Sequence, residues 1–218
     1  MKKRLLVVGG RGSGEIAMSV FDEVNRVTDE WQLEGFLSDV LAPGEMLGRF
    51  PVKGGTNELK DWVDKGYYIH YTLHLNAMAK RARVTAFEEL NIPLEANATA
   101  VHPRACLDRS TEVGHGVLIC AQAATSFGPR VGNFVHMYIN SFIGHDTAIE
   151  DYSTVAAHSV VGARIVAGKG CHIGLNCSIR EDIRIGEYAI IGMGSVVVKD
   201  VTSATIVAGC PAQYLRNV

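Results

Sequence analysis

From residue 101 to residue 197 the chain repeats one pattern every six residues without a slip. Stepping by six gives Val101, Leu107, Val113, Ile119, Thr125, Val131, Met137, Ile143, Ile149, Val155, Val161, Ala167, Ile173, Ile179, Ile185, Ile191 and Val197, and fourteen of these seventeen are Val, Ile or Leu. The next residue is glycine at positions 114, 132, 144, 162, 168, 174, 186 and 192. Neither a helix of 3.6-residue period nor a strand of period two produces such a repeat. A parallel β-helix does, because a chain that turns a corner after each flat side needs one inward residue per side. Seventeen sides at three per turn make a triangular prism of between five and six coils.

The first hundred residues alternate strand and helix signals instead. Residues 5–8 are a continuous apolar run, as expected of a parallel strand covered on both faces, and they end in the turn Gly9-Gly10-Arg11-Gly12-Ser13-Gly14. Ile16, Ala17, Val20, Phe21, Val24 and Val27 then recur at helical spacing and predict one buried stripe. Further along, a strand is expected over 33–37, a turn around Pro43-Gly44, a short helix near 57–63, a strand near 67–73 and a helix N-capped by Asn76 that runs to about residue 90. The βαβα order predicts an α/β amino-terminal domain with a small, Rossmann-like parallel sheet over residues 1–97. The β-helix then forms a second domain over 98–218, ending in a short C-terminal extension. At 218 residues and 47% hydrophobic content, each domain has enough chain for a core.

Composition narrows the function. With 21 Lys+Arg against 23 Asp+Glu, the chain has no basic field to gather a phosphate backbone, so nucleic acid is not an expected partner. No apolar stretch approaches the roughly 20 residues of a membrane span, and the run after Lys2-Lys3-Arg4 stops at Gly9, too short for a secretion signal. A soluble, cytoplasmic protein is expected. The five cysteines, Cys106, Cys120, Cys171, Cys177 and Cys210, contain no C-x-x-C pair, which argues against a disulfide framework and a zinc site. Cys171 and Cys177 occupy equivalent repeat positions and are expected to stack in the core.

Two strings carry chemistry. Gly9, Gly10, Arg11, Gly12, Ser13 and Gly14 lie between a strand and a helix, where free amides and the helix dipole favour a phosphate. Glu15 takes the last place of a G-x-G-x-x-G register begun at Gly10, so a nucleotide diphosphate fits better than NAD. Asp39, just past the second strand, is placed to accept a hydrogen bond from a base or ribose. In the repeat, Tyr138-Ile139-Asn140-Ser141-Phe142-Ile143-Gly144-His145-Asp146 sets an outward imidazole beside a carboxylate. Adjacent side chains diverge on a straight strand, so contact between these two requires a corner.

The string I-N-x-x-x-I-G-H-D, with Gly209-Cys210-Pro211-Ala212 near the end, resembles the sialic-acid O-acetyltransferase and nucleotide-sugar N-acetyltransferase family of hexapeptide-repeat acyltransferases. The chain is most similar to members that acetylate UDP-linked 4-amino sugars in bacillosamine-type pathways, and the resemblance spans nearly its whole length. It implies a left-handed parallel β-helix, an exception to the right-handed crossover rule. Also implied are a C3 homotrimer with active sites at subunit interfaces, acetyl-CoA as co-substrate without a metal, and a nucleotide-linked amino sugar as acceptor. His145 matches the general base, a role suited to an imidazole because it titrates near neutrality. Asp146 matches the carboxylate that orients it, and Asn140 the motif asparagine that positions the sugar or the histidine. Counting one coil, about eighteen residues, places Ala163 over His145, with its backbone N–H as oxyanion donor. Coenzyme A in this fold lies along the later coils against backbone groups, which points to Gly174, Leu175, Gly192, Met193 and Gly194. The chain departs from the family in having Ser38-Asp39 where two acids are usual. Thr154, in one column between His136 and His172, stands where some relatives carry a second active-site histidine.

Other functions remain in view. O-acetyl transfer to a sialic acid would use a similar histidine with a hydroxyl nucleophile. A zinc hydratase on the same coil needs three converging imidazoles, including a close H-x-x-x-x-H pair that the repeat lacks. In a non-enzymatic nucleotide-binding scaffold, the His145-Asp146 pair would be dispensable. His115 and His158 read as surface residues and His102 as part of the junction, while Trp31, Trp62, Tyr67 and Tyr68 read as packing. His70 and His74 are assigned no chemistry.

Overall fold

The structure, a computed structural model, describes residues 2–218. Its first part contains β1 (Lys3–Val8), α1 (Ser13–Thr28), β2 (Trp31–Leu37), β3 (Met46–Leu47), β4 (Phe50–Gly54), α2 (Leu59–Asp64), β5 (Tyr68–Tyr71) and α3 (Lys80–Glu88). The sheet order is β3-β4-β2-β1-β5, with every neighbouring pair parallel except β3 and β4 at the edge. Central β1 shows why residues 5–8 are apolar throughout. Leu5 and Val7 pack with α1, whereas Leu6 and Val8 pack on the opposite face with Leu59, Val84 and Phe87.

Helix α1 buries Gly14, Ala17, Met18, Val20, Phe21 and Val24, while Ile16 and Val27 are exposed, contrary to the expected stripe. At roughly 100° per residue, Val27 lies about 100° and Ile16 about 120° from the centre of the buried face. The hairpin of β3 and β4 stands where only a turn was expected. It is short, and Pro51, which lies ahead of the pairing of β4 with β2 that begins at Val52, masks the strand signal.

The second part is a coil of two-residue strands. They stack into three separate parallel sheets, and partners lie eighteen residues apart, as in His136↔Thr154 and Thr154↔His172. The second residue of each of these strands belongs to the stepping series, and apart from the polar Thr125 these residues, with Val117, Val135, Ile165, Cys171 and Cys177, form one continuous core. The glycine after an inward residue serves coil-to-coil approach. A Cβ on Gly144 would lie 2.6 Å from the Gly162 carbonyl carbon and 2.7 Å from the Ala163 nitrogen.

Corners follow a second six-residue series. Every sixth residue from Gly116 to Gly194 has φ between 54° and 76°. Eight of these fourteen corner residues are Gly, Asn or Asp, the types that enter the left-handed region most readily. Phe134, Tyr152 and Tyr188 also adopt it on one corner, and packing supports the strain: the Phe134 and Tyr152 rings stack at 4.6 Å, with Phe87 edge-on to Phe134 at 5.4 Å.

One sheet of the coil carries the amino-terminal part. Ala100, Leu118 and Cys120 share a cluster with α1 and β1, and Phe134 and Tyr152 share another with α3 and β5, so apolar packing is continuous across the seam. The fully buried Lys80 extends from α3 into the coil, where its Nζ donates to Tyr152 O (3.0 Å), Thr154 Oγ1 (2.9 Å) and Cys171 O (3.3 Å). Burial pulls this amine down to about 8. Beside it, His136 stacks on His70 at 5.0 Å and meets His74 edge-on at 4.9 Å. His70 and His74, for which the sequence offered no role, are thus seam residues.

Burial lowers His70 to about 4 and holds His74 and His136 well below the ordinary histidine range. These rings are neutral in the folded state, so the unfolded chain binds protons first as the pH falls. The stability these rings govern should be flat between about pH 6.5 and 7.5, below the range where Lys80 titrates, and fall from there toward pH 4, by roughly 3 kcal/mol for His70 alone. Urea unfolding midpoints between pH 7.5 and 4.5 check this, and a constant midpoint would contradict it.

Candidate active site

The corner after Phe142–Ile143 builds the imidazole site. Ile143 points into the core, Gly144 passes close beneath Gly162, and Asp146 turns the corner with φ 54°. That turn folds the carboxylate back, bringing Asp146 Oδ2 to 2.8 Å from His145 Nδ1. Both side chains remain about half exposed. An ionised carboxylate only accepts, so Nδ1 carries a proton, and in the neutral ring the lone pair is on Nε2. Behind them the buried Thr147 ties two coils together, its hydroxyl donating to Gly162 O (2.9 Å) and accepting from Ile165 N (3.1 Å).

One coil on, Ala163 stands over His145, and the next N–H, that of Arg164, donates to His145 O at 2.9 Å. Among the described residues, the Ala163 N–H donates to no protein acceptor. Arg164 itself drew no attention in the sequence. Its Nη1 lies 3.3 Å from His145 Nε2, while Nε and Nη2 pair with both oxygens of Asp182 at 2.6 and 2.8 Å. The guanidinium holds the Asp182 carboxyl below the usual carboxylate range. Asp146, Arg164 and Asp182 are successive corner residues eighteen apart, a spacing that could have revealed them.

Asn140 lies elsewhere. It is the corner residue at the opposite end of the same flat side, and its side chain makes no hydrogen bond among the described residues. The structure does not join it to His145. Its column continues through His158, Asn176 and Gly194, whose N–H groups donate in turn to the carbonyls of Ile139, Ala157 and Leu175. Gly174 and Leu175 therefore stack beneath Gly192, Met193 and Gly194, and exposed Ile139, Leu175 and Met193 form an apolar ridge along that corner.

The glycine-rich turn opens onto a cavity of about 630 Å³ lined by Gly10, Arg11, Ser38, Asp39, Thr56 and Arg83, among others. An adjoining cavity of about 300 Å³ adds Ser13, Thr72 and Asn76. Gly9 is required where it stands, since a Cβ there would lie 2.2 Å from Thr72 Oγ1. Gly12 is less available than expected, because its N–H donates to Glu15 Oε2 at 2.9 Å. Asp39 is also engaged, accepting from Thr56 N (2.7 Å) and Thr56 Oγ1 (2.6 Å), which braces it at the cavity wall. Arg83 escaped the sequence reading because helix α3 offered no motif to mark it. Arg11 and Arg83 line both cavities, and neither forms an ion pair among the described residues. A third cavity, about 310 Å³, runs from Ser13 and Leu75 to Tyr138, Thr154, His172 and Leu175 of the coil. His145 lines none of the three. Among the described residues no group of three or more His, Cys, Asp or Glu is arranged to hold a metal ion, and no helix is long and apolar enough to cross a membrane.

No protein-family model matches the chain. It is 29% identical over 174 residues to a GDP-perosamine N-acetyltransferase from Escherichia coli O157:H7, covering 80% of this chain and 68% of that one. Its structure superposes on the acetyltransferase domain of PglB from Neisseria gonorrhoeae FA1090 in complex with acetyl coenzyme A, with a TM-score of 0.85 and 22% identity over 99% of this chain and 100% of that one. The chain has the fold of that acetyltransferase domain. PerB from Caulobacter crescentus, in complex with CoA and GDP-perosamine, matches with a TM-score of 0.80 at 20% identity over 97% and 96% of the two chains.

Proposed function

We propose that this protein is an acetyl-CoA-dependent N-acetyltransferase acting on the amino group of a nucleotide-diphosphate-linked sugar, with His145 as general base. The observation that carries this reading is the His145–Asp146 pair, set at a corner one coil from the free N–H of Ala163. The sugar amine attacks the thioester carbonyl carbon and passes a proton to His145 Nε2 as the C–N bond forms. Asp146 stabilises the imidazolium, and the Ala163 N–H donates to the carbonyl oxygen as it gains charge. Collapse of the tetrahedral intermediate breaks the C–S bond, and the leaving thiolate takes the proton from the imidazolium.

On this reading residues 1–97 are a Rossmann-like nucleotide-sugar domain and residues 98–218 a left-handed β-helix. The diphosphate lies against the glycine turn and helix α1, with Arg11 and Arg83 as its charged partners. Coenzyme A follows the ridge of Leu175 and Met193. Since His145 lies outside the cavities that adjoin the glycine turn, a neighbouring copy in a C3 homotrimer supplies it. Uridine is the base implied by the sequence resemblance, and guanosine is the one named for two of the relatives. Asp39 is the acidic residue in the pocket to meet either.

His145→Ala should lower turnover by roughly 10²- to 10⁴-fold with the thermal midpoint kept, as for loss of a general base. Assays with acetyl-CoA and UDP- or GDP-linked amino sugars check it, and turnover of a sialic acid alone would defeat the choice of acceptor. A thermal-shift panel of UDP, GDP, dTDP and CMP identifies the base, because a ligand that binds only the folded state raises its stability. Arg83→Ala should weaken the preferred diphosphate by about tenfold, the loss of roughly one charge-assisted hydrogen bond, and leave the parent nucleoside unaffected.

A further inference from the structure

We propose that Arg164 is a positioning residue for His145. It selects the tautomer that carries its proton on Nδ1, and it occupies the Nε2 lone pair until the acceptor amine takes its place. This inference depends on His145 being the base.

The geometry leaves little freedom. A guanidinium only donates, so Nη1 at 3.3 Å from Nε2 meets a lone pair and excludes the tautomer with a proton there. On the other side, Nδ1 faces the Asp146 carboxylate. The ring is thus held between a donor and an acceptor, each demanding the same tautomer. Arg164 is in turn anchored in a fork by Asp182, which uses Nε and Nη2 and leaves Nη1 directed at the imidazole. The charged groups around His145 at this corner are Asp146, Arg164 and Asp182, with Arg180 and Glu181 in the adjoining turn.

One consequence follows for the reaction. The acceptor nitrogen must stand within hydrogen-bond reach of Nε2 and close to the Ala163 N–H, a region Arg164 enters from the next residue of the chain. Amine and guanidinium therefore exchange as donors to one lone pair, and Asp182 retains Nε and Nη2 as Nη1 yields.

Diethyl pyrocarbonate tests this on the full-length protein without a sugar, because it acylates the neutral imidazole nitrogen and peptide mass analysis reads His145 separately. Arg164 and Asp182 are about half exposed, so their variants keep the core intact. Arg164→Gln, which frees the Nε2 lone pair, should raise the plateau acylation rate at His145 several-fold. Arg164→Lys, which keeps the charge without the fork, should keep the faster plateau. An unchanged plateau in Arg164→Gln overturns the proposal, even where His145→Gln has abolished turnover of acetyl-CoA with UDP- or GDP-linked amino sugars. Full turnover by His145→Gln instead removes the base assignment itself.

Discussion

Everything in this molecule is referred to the contact between one coil and the next. Two-residue ladders carry the hydrogen bonds, but the closeness of approach is set where no side chain intervenes, at glycines such as Gly144 and Gly162. Backbone at that separation places residues eighteen apart in register on every side and at every corner. A functional group on one coil therefore has its partners fixed by counting. His145, Ala163 and the alternating charges Asp146, Arg164 and Asp182 are one example, and the column from Asn140 to Gly194 is another.

The inward series was legible because burial is a strict filter: a side that turns its apolar residue outward loses its place in the core. Contact between His145 and Asp146 was legible for a related reason, since only a corner lets adjacent side chains converge. What remained hidden were features whose signal lies in three dimensions. Arg164 is nineteen residues from His145, and an arginine in a repeat looks like any solvated side chain until the coils are stacked. The corner series was present in the sequence as a spacing of Gly, Asn and Asp, but it is interrupted at Gln122, Phe134, Tyr152, His158, Arg164 and Tyr188, of which Phe134 and Tyr152 are supported by stacking of their rings and Tyr188 by the Arg81 guanidinium over its ring. Asn140 shows the converse limit, because proximity in a motif put it near His145 while a flat side of the prism separates them.

In the amino-terminal part the legible elements were those with one long apolar face. The hairpin of β3 and β4 was obscured by short strands and a proline, and the edges of α1 by apolar residues that the core does not reach. The seam was least visible of all. Lys80 gains its three oxygen partners only from coil residues more than seventy positions away, so nothing local marks it as buried. The imidazoles of His70, His74 and His136 meet there for the same reason, brought together by an outward sheet of the coil that doubles as a wall for α1 and α3.

The unbroken register has a bearing on how such a chain can change length. Adding or removing one residue within a side would exchange interior and exterior from that point onward and misalign every column beyond it. Duplicating or excising eighteen residues would leave each column continuous. Variation in this architecture is therefore quantised: it grows or shrinks in complete circuits, and irregular insertions are confined to the corners, where a loop can leave the prism and return to the same place.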